Sequence, residues 1–291
     1  MAVRMGFVGA GAMGGAMATR ALEVGREVVV CDPSERATAP LAAKGARVAA
    51  TPRELAEGCD VVAIVVLDDA QVRSVVAGKD GLLASNAERL DILVHSTIHL
   101  PTLFDVEEAA RKRGFALLDA GVSGHTSGAL RGQLAVMVGG DEATFARCTP
   151  ALETYGGLVL RVGPLGAGMK AKVARNLLGF GQVAATYEGM RLAEEAGVEL
   201  EAFARIVRHS EGQSHLVDGF LSSPTVREGN EETAVGRQRL ALARVVVETA
   251  KKDLSAALEL AASLGIELPV GEAAHREVTA TWGAEPGPRR S

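Results

Sequence analysis

Two groups of residues have the types and spacing to do chemistry. Near the N-terminus, Gly9-Ala10-Gly11-Ala12-Met13-Gly14 fits the pattern GxGxxG, and Asp32 stands 18 residues after Gly14. Far along the chain, Lys172 and Asn176 are four residues apart in a helical pattern and share one face. Gly168 lies one turn before Lys172 on that face and Gly179 two turns after, so a ligand could lie close to the helix. Lys170 points elsewhere and reads as a solvated charge. A lysine whose pKa is drawn toward neutrality can take a proton from a hydroxyl and return it, and a carboxamide beside it can orient the oxygen. A single helical lysine with no other signal is a surface charge, so its company decides the reading.

The glycine turn has the context that its chemistry requires. It follows a strand pattern over 3–8, opens a helical pattern over 12–24, and is answered by an acid at the end of the next strand pattern, 27–31. Gly9 permits the tight turn, Gly11 lets the backbone approach a pyrophosphate, and Gly14 lets helix and strand pack closely. The helix N-terminus adds unpaired N–H groups and positive potential. Ala10, Ala12 and Met13 complete this cofactor-binding turn. Asp32 would accept hydrogen bonds from adenosine ribose hydroxyls and repel a 2′-phosphate, which points to NAD ahead of NADP. The alternative is a plain turn residue before Pro33.

The elements that must position these groups change character along the chain. Short apolar runs alternate with helical patterns through the first half: strands at 3–8, 27–31, 47–50, 61–67, 92–95, 116–119, 134–139 and 158–162, and helices at 35–44, 101–113 and 142–155. This alternation argues a doubly wound α/β sheet, with 134–162 antiparallel at its edge. From Gly166 the period-2 signal vanishes and helical patterns run over 169–195, 200–209 and 240–264. The fold expected is an N-terminal Rossmann domain, 1–163, followed by an all-α domain, 164–291, for substrate binding and dimerisation. Residues 222–233 read as a loop and the tail 283–291 as disordered.

Composition excludes several classes. Aromatic residues are only 3%, so the core is built from Ala, Val and Leu, which favours helices and buried parallel strands. A net charge of −5 without a Lys/Arg cluster argues against nucleic acid. No run approaches a membrane span of about 20 apolar residues, and the five glycines of 5–18 argue against a signal peptide. Cys31, Cys59 and Cys148 fit neither a disulfide framework nor a CxxC metal pair and read as reduced thiols of a cytoplasmic protein. The histidines, His95, His99, His125, His209, His215 and His275, form no HxxxH or HExxH pair, so no metal is expected.

Four blocks in order resemble the β-hydroxyacid dehydrogenase family, which includes 3-hydroxyisobutyrate dehydrogenase and tartronate semialdehyde reductase. They are the N-terminal glycine motif from Gly6 to Gly14; Asp119-Ala120-Gly121-Val122-Ser123-Gly124 continuing to Gly139-Gly140; Gly166-Ala167-Gly168-Met169-Lys170-Ala171-Lys172 with Asn176; and Lys252-Asp253-Leu254. The resemblance covers the chain from Met5 to about Leu264. It implies a Rossmann domain and a helical domain with the active site between them, a homodimer or homotetramer, and reversible NAD(P)-dependent oxidation of a small 3-hydroxy acid. It makes Lys172 the catalytic lysine and Asn176 the substrate-positioning asparagine. It places Thr97 beside the nicotinamide, Leu67 in a cofactor-contacting loop and Lys252 at the cofactor edge. Ser123 and Gly124, after a strand ending at Asp119, suit a substrate carboxylate.

Departures from the family pattern gather on the substrate side. His125 stands for a second glycine, Asp68 for a proline, His95 for an aspartate, and Arg175 for the first of two adjacent asparagines. The Gly-Phe segment before Lys252 and the closing C-terminal segment are not recognisable. His125 is expected to line the substrate pocket and tune selectivity. The competing readings are an imine reductase, a class that typically lacks the catalytic lysine, and a dinucleotide-binding protein without turnover.

Overall fold

The computed structural model describes residues 3–195, 197–209, 234–264 and 267–282. The expected loop at 222–233, the tail at 283–291 and His215 lie outside the described residues. The chain divides into two compact units, 1–172 and 173–291.

The first unit alternates strand and helix: β1 (Met5–Val8), α1 (Ala12–Glu23), β2 (Val28–Cys31), α2 (Glu35–Ala42), β3 (Arg47–Val48), α3 (Pro52–Glu57), β4 (Val61–Ile64), α4 (Asp69–Ala77), β5 (Asp91–Val94), α5 (Leu100–Lys112), β6 (Ala116–Ser123), α6 (His125–Leu130), β7 (Leu134–Gly139), α7 (Glu142–Leu152) and β8 (Gly156–Gly163). The sheet order is β3-β2-β1-β4-β5-β6-β7-β8. All neighbours are parallel except β6–β7, and β8 returns parallel to β7. This is the doubly wound Rossmann sheet expected, with the antiparallel pair near one edge.

Alternation along the strands divides the core. Met5, Phe7, Val28, Val30 and Leu93 face one side with Met17 of α1 and Leu152 of α7. Val8, Val29, Val62, Ile64 and Ile92 face the other with Leu55, Val72 and Leu103 of α3, α4 and α5. Strands covered on both faces read as continuous apolar runs, which is why they were legible. The helix starts are set by local chemistry. Thr51 accepts from the Glu54 N–H at 3.1 Å while Glu54 accepts from the Ala50 N–H at 2.9 Å, a reciprocal cap with Pro52 in the first turn. Asp68 caps α4 through the Gln71 N–H at 2.8 Å, and Asp141 caps α7 through the Thr144 N–H at 2.9 Å.

Some boundaries differ from expectation. The apolar run 61–67 leaves the sheet after Ile64, because the Ser96 hydroxyl accepts from the Val66 N–H and donates to the Val66 carbonyl, both at 2.8 Å. The strand expected to end at Asp119 continues to Ser123, because β7 pairs with Asp119–Ser123 where β5 pairing stops. Helices α4 and α6 were not anticipated.

Helix α8 (Ala167–Glu195) runs unbroken through its glycines, and the division between the units falls inside it. The second unit continues with α9 (Leu200–His209), α10 (Ala234–Leu264) and α11 (Pro269–Thr281), the last not anticipated. Met190 and Ala193 of α8 pack on Leu200 and Ala204 of α9. Gly271 lets α11 approach Leu177 of α8 and Leu258 of α10. No described helix is long and apolar enough to cross a membrane.

His95 ends up in the core rather than in a pocket. It is 3% exposed. Its Nδ1 lies 2.5 Å from the Ala120 carbonyl, which can only accept, so Nδ1 carries the proton. Nε2 therefore accepts from the Tyr155 hydroxyl at 2.9 Å. Burial pushes the His95 pKa down to about 4, against the opposing effect of the Ala120 carbonyl. The unfolded chain binds a proton here below its ordinary value of 6.5, and the native state binds one only near 4. Stability is therefore lost as pH falls through this window, by about 3 kcal/mol from this group. We expect the denaturant-measured stability advantage of wild type over His95→Gln to shrink by about that amount between pH 7 and pH 4. A difference that stays flat with pH would contradict the buried neutral imidazole.

Candidate active site

The C-terminal ends of β1, β2, β4, β5 and β6 carry the glycine turn, Asp32, Leu67, Thr97 and Ser123. Ligands of doubly wound sheets bind outside these ends, where the strand order reverses, here between β1 and β4. Gly9 has φ +94°, and a Cβ there would strike the Val65 carbonyl. A Cβ on Gly14 would strike the Gly9 carbonyl. The turn is therefore glycine-specific for two separate reasons. Gly11, by contrast, has open space on its Cβ side and caps α1 without a side chain, and the first turn of α1 holds no acid. Open space beside uncapped N–H groups fits the pyrophosphate of a dinucleotide.

Asp32 is tied down on both sides. Its Oδ2 accepts from the Ala10 N–H at 2.7 Å and its Oδ1 from the Ser34 N–H at 2.8 Å. The carboxylate thus braces the glycine turn, and each oxygen keeps a lone pair for a further donor. Leu67 is 75% exposed in the loop between β4 and α4, with its N–H donating to Gln71 Oε1 at 2.9 Å. Thr97 is half-buried beside Ser96, whose hydroxyl holds that same loop. The sequence gives Asp68 the look of a lost proline; locally it is the α4 cap.

Helix α8 is seated on β6 by a buried acid that the sequence reading left without a role. Asp119 is 0% exposed. Its Oδ1 accepts from the Gly166 N–H at 2.7 Å and its Oδ2 from the Met169 N–H at 2.6 Å, so it caps the start of α8. Burial raises its pKa, and the N–H donors of Gly166, Met169 and Gly168 oppose that rise. A Cβ on Gly168 would press into the backbone carbonyls of Met137 and Asp119. One turn later the stem of Lys172 crosses Gly121 of β6, where an added Cβ would lie 2.7 Å from the Lys172 Cβ. Ser123 is two residues further along the same strand face, roughly 7 Å. Gly124 follows with φ +134° and His125 with φ +56°, a left-handed conformation that side chains avoid.

Asn176, one turn after Lys172 on α8, is 3% exposed and donates from Nδ2 to Asp253 Oδ2 at 2.5 Å. Its Oδ1 receives Arg175 Nη1 at 3.4 Å. Lys252 is part-exposed with Nζ 3.6 Å from Asp253 Oδ1. Asp253 was overlooked in favour of its neighbour. The available signal was a carboxylate on the apolar face of α10, in register with Ala250, Ala257 and Ala261, all buried. The histidines are scattered: His99 pairs with Asp69 at 3.0 Å, and His275 lies 3.0 Å from the Ser255 hydroxyl. Among the described residues no three His, Cys, Asp or Glu side chains converge.

Comparison with known proteins gives the family. Residues 4–163 match the family profile described as the NAD binding domain of 6-phosphogluconate dehydrogenase, and residues 166–289 the profile described as NAD-binding of NADP-dependent 3-hydroxyisobutyrate dehydrogenase. The chain belongs to the β-hydroxyacid dehydrogenase family and is an NAD(P)-dependent, hydroxyacid-dehydrogenase-like enzyme. It is 34% identical to the NAD-dependent L-serine dehydrogenase of Pseudomonas aeruginosa over 93% of this chain and 89% of that one. It is 34% identical to the 3-hydroxyisobutyrate dehydrogenase of the same organism over 91% of this chain and 87% of the other. The solved Mycobacterium tuberculosis 3-hydroxyisobutyrate dehydrogenase with L-serine superposes with a TM-score of 0.79 at 28% identity, covering 96% of this chain and 94% of that one.

The seat of α8 is testable by a single substitution. Gly168→Ala should destabilise the protein by about 2 kcal/mol, because backbone carbonyls cannot rotate out of the way. It should lower turnover at least about 10-fold while leaving NAD affinity within about 2-fold, measured by denaturation, steady-state kinetics and cofactor titration.

Proposed function

We propose that this enzyme catalyses reversible hydride transfer on a 3-hydroxy acid or a related semialdehyde, with Lys172 as general acid and base. The observation that carries the reading is the course of the Lys172 stem across Gly121, on the strand face that ends at Ser123. The cofactor supplies the hydride acceptor in oxidation and the donor in reduction.

As the alcohol carbon is oxidised, the hydroxyl proton passes to a neutral Lys172 amine; in the reverse direction the ammonium returns it to the forming alkoxide. Asn176 orients the substrate oxygen. The Asp253 bond fixes the direction of its amide and supports that role. Ser123 and Gly124 receive the substrate carboxylate. His125 stands beside them in a strained backbone conformation, which supports a selectivity role, since strain of this kind is retained where it serves a site.

On the cofactor side, the glycine turn holds the pyrophosphate, with Leu67 in a cofactor-contacting loop, Thr97 beside the nicotinamide and Lys252 at the cofactor edge. We read the preferred cofactor as NAD, because the Asp32 carboxylate would repel the 2′-phosphate of NADP. The helical unit carries exposed Leu178, Ile206, Val245 and Val270, which supports self-association as a homodimer or homotetramer. A monomer by sedimentation would contradict this.

Lys172→Ala should reduce kcat for 3-hydroxy acids by about 100-fold or more, with the Kd for NAD unchanged. A screen of 3-hydroxyisobutyrate, L-serine and cyclic imines with NAD and NADP, on wild type and variant, tests this. Hydroxy-acid turnover that survives in the variant removes Lys172 from its role, and turnover of imines alone removes the reading.

A further inference from the structure

Two loops leave the sheet side by side, because β4 and β5 are neighbours: one carries Leu67 and the other Thr97. Two ties join them. The first is the Ser96 hydroxyl, bonded to both the N–H and the carbonyl of Val66 at 2.8 Å. The second is Asp69, whose Oδ1 accepts from the His99 N–H at 3.1 Å and whose Oδ2 meets His99 Nδ1 at 3.0 Å. A carboxylate can only accept, so Nδ1 carries the proton. Val66 and Asp69 flank Leu67 in the chain, and Ser96 and His99 flank Thr97. Ile98 is buried in the core. Leu67 and Thr97 are thus each bracketed by bonds to the other's loop.

The Asp69 carboxylate is not spent on its own helix. Asp68 already caps α4, through the Gln71 N–H at 2.8 Å. Helix α5, by contrast, starts after His99 with no side-chain cap of its own. One turn after Asp69, Arg73 donates to Thr102 Oγ1 at 3.0 Å and pairs with Asp105 at 2.8 Å. His99, Thr102 and Asp105 follow one another in steps of three, so α4 and α5 are joined along their length by Arg73 and at the loop end by Asp69. Burial would raise the Asp69 pKa, but the Thr102 hydroxyl and the two His99 donors outweigh it and hold the carboxyl below its ordinary value. It therefore stays an acceptor.

We propose that Asp69 is a positioning residue for the nicotinamide half of the cofactor. By gripping His99 it fixes the spacing of the loops that carry Leu67 and Thr97, and that spacing sets where the nicotinamide ring comes to rest. A reacting ring must be held to a fraction of an ångström for hydride transfer, and groups that lock its contacts supply that tolerance. The adenosine and pyrophosphate half rests on the glycine turn, which Asp32 braces through separate bonds. The two halves of the cofactor should therefore respond differently to loss of Asp69.

This inference rests on the reading that Thr97 lies beside the nicotinamide, and the experiment separates the two. Binding of NADH, and of ADP-ribose, which keeps the adenosine and pyrophosphate but lacks the nicotinamide, is measured by calorimetry on wild type, Asp69→Ala, Asp69→Asn and Thr97→Ala. Asp69→Ala should weaken NADH binding by about 10-fold, with ADP-ribose within about 2-fold of wild type. Asp69→Asn keeps an oxygen for the His99 N–H and should fall between wild type and Asp69→Ala. Thr97→Ala should also lose affinity for NADH and not for ADP-ribose. Intact ADP-ribose binding shows that each variant is folded at the glycine turn. Equal weakening of both ligands by Asp69→Ala, or no weakening of either, would overturn the role of Asp69. Unchanged NADH affinity in Thr97→Ala would overturn the placement of Thr97 instead.

Discussion

One buried carboxylate holds the arrangement together. Asp119 sits where β6 changes partner, paired with Val94 of β5 on one side and Gly139 of β7 on the other. There its two oxygens take the Gly166 and Met169 N–H groups at the start of α8. Each party has what the other lacks. The first N–H groups of a helix have no intrahelical acceptor, and a carboxylate removed from water needs donors. Satisfying both at once fixes where α8 begins, and therefore where Lys172 falls against β6. Gly168 and Gly121 are the spaces that allow this contact to close.

A second acid does comparable work in the helical unit. Asp253 lies on the buried face of α10 and turns the Asn176 amide so that nitrogen faces it and oxygen faces Arg175. On the cofactor side the braces are Asp32 to the glycine turn and Ser96 to the loop carrying Leu67. Residues that would touch ligand are thus held by partners distant in the sequence, and Asp32 is brace and proposed ligand contact at once. Such support is what keeps a site within the tolerance that hydride and proton transfer demand.

The departures from the family pattern also have local physical accounts. Asp68 is a helix cap, and His95 is a neutral core imidazole bridging Ala120 and Tyr155. Neither needs a change in chemistry to explain it. His125 is of another kind: it holds a left-handed backbone conformation that a glycine would adopt without strain.

The sequence by itself determined the nucleotide fold, the glycine turn and the blocks around Ser123, Lys172 and Lys252. Their signals are local: an apolar run covered on both faces, a spacing of glycines, and a helical period are written in consecutive residues. Asp32 was legible for the same reason, although its grip on Ala10 across 22 residues was not. Tertiary structure alone decided the roles of Asp119 and Asp253, because their partners lie 47 to 50 and 77 residues away. It also decided the length of β6, which is extended by pairing with β7 rather than by any propensity of Ala120-Gly121. A buried carboxylate looks the same in a sequence whether it binds substrate, braces a neighbour or caps a helix, and only the donors that fold around it tell which.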